Sequence, residues 1–282
     1  MTPLGVVFLP DLPPERLRAV VQTADDAGLE ELWLWEDCFK ESGIATAAAA
    51  LAWSSRIRVG IGILPVPLRN VAVIAMEVAT LSRLFPGRVR VGVGHGVLDW
   101  MGQVGVRARS PMTLLREHVW ALRALLDGER VSLDGQYVKL DDVGLDWPPT
   151  ERPELLVGAI GERTLKLSGE LADGTVLTGG TSPRQLREKR RQIGNDANHI
   201  VVYVHAATGA DAHSRMLAEG ERWGYDNVAE VSVVGDAATL AAGARRWIDA
   251  GADTVVFQPT PDDPDLEAFV RLVAAQVRPL VG

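Results

Sequence analysis

Leu155–Thr178 reads LLVGAIGERTLKLSGELADGTVLT. Leu155–Gly158 is a short apolar strand and Gly174–Thr178 is another. Between them, Glu162–Leu171 carries leucines at helical spacing. A strand, a glycine-containing turn, one helix and a second strand make a βα repeat whose strands run parallel. The same alternation extends on both sides of this stretch. Upstream strands are predicted at Leu4–Leu9, Leu32–Trp35, Arg56–Ile63 and Arg88–Val93, and downstream ones at Ile200–Ala206 and Thr254–Gln258. Helices follow each of them. Gly28 ends the first, Asn70–Leu84 forms the third, and Ser110-Pro111 reads as an N-cap and N1 proline. Ser182-Pro183-Arg184-Gln185 reads as a capping box. Eight strand–helix units in 282 residues, with no break in composition, predict one α/β (β/α)8 TIM barrel spanning residues 1–282. An open doubly wound sheet is the competing topology.

One region departs from the rhythm. Residues 128–150 read as a β-hairpin insertion, Val131–Leu133 and Tyr137–Leu140 about an Asp134-Gly135 turn. Residues 97–110 read as loop, and 221–236 as irregular.

Composition narrows the function. The net charge of −8 disfavours nucleic acid and anionic membranes as partners. The single cysteine, Cys38, excludes an intrachain disulfide and multi-cysteine metal sites. No two histidines have metal spacing, so no metal is expected. The chain reads as a cytoplasmic protein that acts on a small molecule.

Barrel enzymes work at the C-terminal ends of their strands. Strand two ends in Glu36-Asp37-Cys38-Phe39. Only one of the adjacent carboxylates can face the mouth, because neighbouring side chains on a strand point oppositely. The two carboxylates also disfavour a Cys38 thiolate. Strand four ends in Gly92-Val93-Gly94-His95-Gly96, and His95 is the only histidine at a strand C-terminus. Gly161–Thr164 and Thr178–Ser182 combine glycines, hydroxyls and helix starts, the chemistry that holds a phosphate, although plain helix capping explains part of it.

Further residues carry a resemblance. They are Leu32–Phe39 (LWLWEDCF), Ile57–Pro65 (IRVGIGILP), Ala75–Gly96 (AMEVATLSRLFPGRVRVGVGHG), Leu125–Tyr137 (LLDGERVSLDGQY), Leu155–Thr164, Ala172-Asp173-Gly174, Val234-Gly235-Asp236 and Gly251-Ala252-Asp253. In this order and spacing the chain resembles the bacterial luciferase-like monooxygenase superfamily. Within it, the chain is similar to F420- or flavin-dependent oxidoreductases related to methylenetetrahydromethanopterin reductase. The resemblance implies hydride transfer between coenzyme F420 and a small organic substrate. FMN-dependent monooxygenation and a non-catalytic cofactor-binding barrel are the alternatives. It implies a homodimer, and a non-proline cis peptide at Gly62-Ile63. A flat ring would lie across strands two to four, with Gly60, Gly62, Gly92, Gly94 and Gly96 as clearance. The implied cofactor-binding set is Gly62, Ile63, Gly94, His95, Gly96, Gly158, Ala159, Gly161, Thr164, Thr178, Gly179 and Gly180. Cys38 stands where many F420 relatives carry histidine, and Val97 where some carry a catalytic glutamate. Asp37 and His95 are therefore the expected proton-handling residues, with Asp99 and Glu36 behind them.

Overall fold

A computed structural model describes residues 2–282. Eleven strands are formed: β1 (Leu4–Val7), β2 (Glu31–Leu34), β3 (Arg58–Pro65), β4 (Val89–Gly94), β5 (Val131–Asp134), β6 (Lys139–Val143), β7 (Leu155–Gly158), β8 (Gly174–Leu177), β9 (His199–Ala207), β10 (Ser232–Val234) and β11 (Thr254–Gln258). Eight of them, β1-β2-β3-β4-β7-β8-β9-β11, pair in parallel, and β11 returns to β1 to close the ring. This is a (β/α)8 barrel, with the helices outside it. The eight barrel strands are the eight read from the sequence, and the helices Glu162–Leu171 and Pro183–Ile193 have the expected bounds.

Two apolar layers hold it. The larger lies between strands and helices and includes Leu32, Val59, Leu115 and Trp247. The smaller fills the ring with Val7, Trp33, Leu156, Val176, Val201, Tyr203 and Val256. The bottom of the ring is closed by charge. Glu31, fully buried, accepts from the Trp33 indole at 2.8 Å and pairs with Arg90 at 3.0 Å and Arg58 at 2.8 Å. Arg90 also pairs with Glu154. With that end plugged, ligand access is left to the opposite end, where the strands' C-termini open.

Several local expectations are corrected. The 97–110 loop contains a short helix, Leu98–Gln103, and the 221–236 patch contains β10. The hairpin forms, but its second strand is Lys139–Val143 rather than Tyr137–Leu140. The reason is Glu117 on the helix Pro111–Leu126, whose carboxylate accepts from the amides of Gln136, Tyr137 and Val138 at 2.8, 2.8 and 3.0 Å. Those amides are therefore withdrawn from the ladder. Ser110 begins its helix without capping it. Its hydroxyl meets Thr113 Oγ1 at 2.7 Å instead. The capping box at Ser182 forms in full. Among the described residues no helix is long and apolar enough to cross a membrane.

Candidate active site

The mouth has an apolar, aromatic floor. Tyr203 meets Trp33 edge-on and stacks on Trp35, each at 5.8 Å between ring centroids. Its hydroxyl donates to the Gly62 carbonyl at 3.3 Å. Beside it the β3–β4 register shifts between Ile61 and Leu64. Such a bulge re-aims a side chain, and here it carries Ile63 over the ends of β4 and β7. The Gly62–Ile63 peptide is cis, as the resemblance implies, and so is Cys38–Phe39, which nothing in the sequence signalled.

The glycines of these strand ends serve mainly the chain's own side chains. A Cβ on Gly60 would stand 2.4 Å from the Trp33 ring, and one on Gly62 2.2 Å from the Tyr203 hydroxyl. Ile63 occupies the space above Gly92, Gly94 and Gly158, and Pro65 that beside Gly96. Gly179 makes room for His205 and Gln258, and Gly180 for the Tyr225 ring. A flat ligand would thus rest on Ile63 and on Trp35, which buried Tyr203 backs, rather than on bare glycine backbone.

The two carboxylates after β2 part company, as the alternation requires. Glu36 turns outward, where Arg69 grips both its oxygens at 2.5 and 2.7 Å and the Gly43 amide donates at 2.8 Å. It is a structural clamp, which removes it from the proton-handling candidates. Asp37 makes none of these bonds. Burial pushes its carboxyl above the usual range, against the opposing pull of the Trp35 side chain and the Lys40 charge. Asp99 is also set aside, for its side chain is 90% exposed and reaches Arg107 at 3.6 Å. Burial and the Glu36 and Asp37 carboxylates push the Cys38 thiol up, so it is a poor nucleophile.

His95 and Thr164 are brought together across the β4 and β7 ends, with His95 Nε2 3.2 Å from Thr164 Oγ1. Burial lowers the His95 pKa, opposed by the Pro111 backbone, so the ring is neutral near pH 7. Thr164 lies in the first turn of the helix that Gly161 begins. That helix has no side-chain cap, and the space where a Gly161 Cβ would stand is open. The Thr164 amide already donates to the Gly161 carbonyl at 3.0 Å, which leaves the amides of Glu162 and Arg163 to face an anion. The next helix differs, because Ser182 and Gln185 already satisfy its N-terminus at 3.3 and 2.8 Å. Of the two phosphate candidates, Gly161–Thr164 is the one with free donors, and exposed Thr178 lies at the end of the neighbouring strand.

A family model described as luciferase-like monooxygenase matches residues 3–200. The chain belongs to the luciferase-like monooxygenase family. A 5,10-methylenetetrahydromethanopterin reductase of Methanolobus tindarius is 25% identical, over 92% of this chain and 87% of the relative. An F420-dependent glucose-6-phosphate dehydrogenase of Kineococcus radiotolerans is 33% identical, over 95% and 93%. The solved structure of an F420-dependent secondary alcohol dehydrogenase, in complex with an F420-acetone adduct, superposes with a TM-score of 0.87 at 19% identity. It covers 100% of this chain and 99% of that one, a likeness of fold.

This luciferase-like oxidoreductase also contains mouth residues that its sequence did not single out. Tyr203 and Trp35 form the floor, and an inward position near a strand end was the available signal for both. Tyr225 joins His205 Nε2 and the Gly179 carbonyl, each at 3.1 Å. Asp11 ties Lys40 at 2.7 Å to Arg222 at 3.1 Å. Glu41, four residues beyond Asp37, buries both carboxylate oxygens, and this burial raises its pKa to about 7 against the opposing pull of the Thr46 side chain.

Proposed function

We propose that the protein transfers a hydride between coenzyme F420 and a small organic substrate bound at the barrel mouth. The observation that carries this reading is an aromatic floor beside an uncapped helix N-terminus. The floor suits a flat tricyclic ring. The helix start suits the phosphate that F420 and FMN both carry. The helix start fits a phosphate without displacing a side chain, since the space at Gly161 is open. Ile63 and Trp35, backed by buried Tyr203, would support the ring, and the amides of Gly161, Glu162 and Arg163, with the Thr164 and Thr178 hydroxyls, would hold the phosphate. When bound, a deazaflavin supplies a carbon that gives or accepts hydride.

The protein's part is orientation, exclusion of water and custody of one proton. Asp37 carries its proton to higher pH than an ordinary carboxyl, which suits a general acid towards a carbonyl oxygen, or a base in reverse. Neutral His95, tethered to Thr164, offers a second hydrogen bond to substrate. The apolar floor keeps solvent from the reacting face.

The test is fluorescence-quenching titration with F420 and FMN, followed by turnover of each reduced cofactor with carbonyl compounds, with and without O2. Tighter F420 binding and O2-independent turnover are expected. O2 consumption coupled to product would replace this reading with FMN monooxygenation. Binding without turnover of any kind would make the barrel a cofactor carrier. Asp37→Asn should lower kcat by about 10²-fold and remove one limb of the pH profile while leaving cofactor affinity unchanged.

A further inference from the structure

The hairpin interrupts the barrel's repeat and contributes nothing to the mouth chemistry above. It does wall a separate cavity. Between the loop after β3, residues 105–108, the start of the helix Pro111–Leu126 and the hairpin lies a space of about 450 Å³. That is the size of a small-molecule site. Arg69, Arg107 and Lys139 line it and no acidic residue does, in a chain whose net charge is −8. Leu68 and Val106 supply apolar wall.

His118 forms part of the same wall. It is 1% exposed, and its Nε2 has no hydrogen-bond partner among the described residues. A buried polar atom left unpaired is costly unless something else satisfies it. Two of the three cations are also available. Arg69 is committed to Glu36, but among the described residues the ion pairs of Arg107 and Lys139 are with Asp99 and Asp134, whose side chains are 90% and 91% exposed, and Lys139 also lies within electrostatic reach of Glu117. Such water-exposed pairs are worth little, so a better-enclosed anion can displace the carboxylates.

We propose that this cavity is a second binding site, for an organic anion. Its apolar body would lie against Leu68 and Val106, its carboxylate or phosphate head would meet Arg107 and Lys139, and His118 would supply the buried hydrogen bond. Burial keeps the His118 pKa near 4, so the ring acts as a neutral partner at physiological pH. The hairpin's role is then to bring Lys139 to the site.

Calorimetric titration of the purified protein with phenyl phosphate and with benzoate tests this. The preferred probe tells phosphate from carboxylate ligands. Saturable binding that persists with F420 or FMN at saturation is expected. Arg107→Gln and His118→Leu should each weaken it about tenfold, the loss of one hydrogen bond to a charged ligand. Circular dichroism checks that His118→Leu folds, and exposed Arg107 provides a variant with little structural risk. Absence of binding by both probes overturns the proposal. So does binding that Arg107→Gln leaves unchanged, and competition by cofactor in that case would place the anion at the barrel mouth.

Discussion

Gly161→Asp separates the phosphate-binding role of its helix from ordinary capping. Gly161 has φ −89° and ψ 153°, the extended conformation of an N-cap residue, so aspartate fits without backbone change. No atom stands within 4 Å of the added Cβ. The new carboxylate would cap the first-turn amides and gain a few tenths of a kcal/mol of stability over glycine. It would also take the donors intended for phosphate and place a charge beside it. Two unit charges about 4 Å apart at an effective dielectric near 20 repel by about 4 kcal/mol. Screening at an open rim reduces this to about 2 kcal/mol, roughly 30-fold in affinity. The assay is fluorescence titration with each cofactor and with its phosphate-free counterpart, riboflavin for FMN and the bare deazaflavin riboside-level compound for F420. The phosphate-bearing forms should lose about 30-fold and the phosphate-free forms nothing. Equal losses for both forms, or none for either, would refute the assignment of Gly161–Thr164.

Three other outcomes follow from the geometry. Gly60→Ala forces a methyl to within 2.4–2.5 Å of three Trp33 ring atoms while the indole is held by buried Glu31; urea unfolding should show a loss of about 3–5 kcal/mol at unchanged m-value. Asp25 is raised by burial, but the amides of Ile57, Ser55 and Arg56 outweigh this and carry its pKa down to about 2. Its stabilisation is therefore full above the unfolded value and lost as pH falls through 2, so Asp25→Asn should cost about 2 kcal/mol at pH 7 and progressively less in acid. Glu41 has the opposite sign: with a folded pKa of about 7 it favours folding below its unfolded value of 4.5 and loses that contribution as pH rises through 7. Glu41→Gln should then be more stable than the parent by about 2 kcal/mol at pH 8 and equal to it near pH 4, and a pH-independent difference would count against the burial-raised carboxyl.

The repeat that begins at Leu155 was legible because each strand and helix there is defined by local pattern. Buried parallel strands are uniformly apolar, and Gly28, Ser182 and Gln185 mark their helix ends by chemistry that acts within a few residues. The divergence of Glu36 from Asp37 was legible for the same reason, although which one faced the mouth required Arg69. What escaped depends on contacts across the ring. The lack of side chains at Gly60 and Gly62 resembled clearance for a ligand until Trp33 and Tyr203 were seen to fill it, and Tyr203 is 141 residues from the carbonyl it meets. The hairpin register was likewise decided by a carboxylate on another element, Glu117. Glu41 carries no motif at all, since its significance lies in the burial that surrounding elements impose on it.

The long strand β9 has a further consequence. Its first half pairs with β8, from His199 to Val202, but its last residues, His205 to Ala207, pair on the same edge with β10 instead. The wall between β8 and β9 therefore unzips towards the mouth, and Tyr225 is wedged into the fork against His205 and Gly179. The aperture on that side is set by one side chain on an appendage and not by the strand count or stagger of the ring. A larger or smaller residue at position 225 would resize the entrance while the load-carrying ladder stayed intact, so substrate range could drift in this scaffold without any change in the barrel itself.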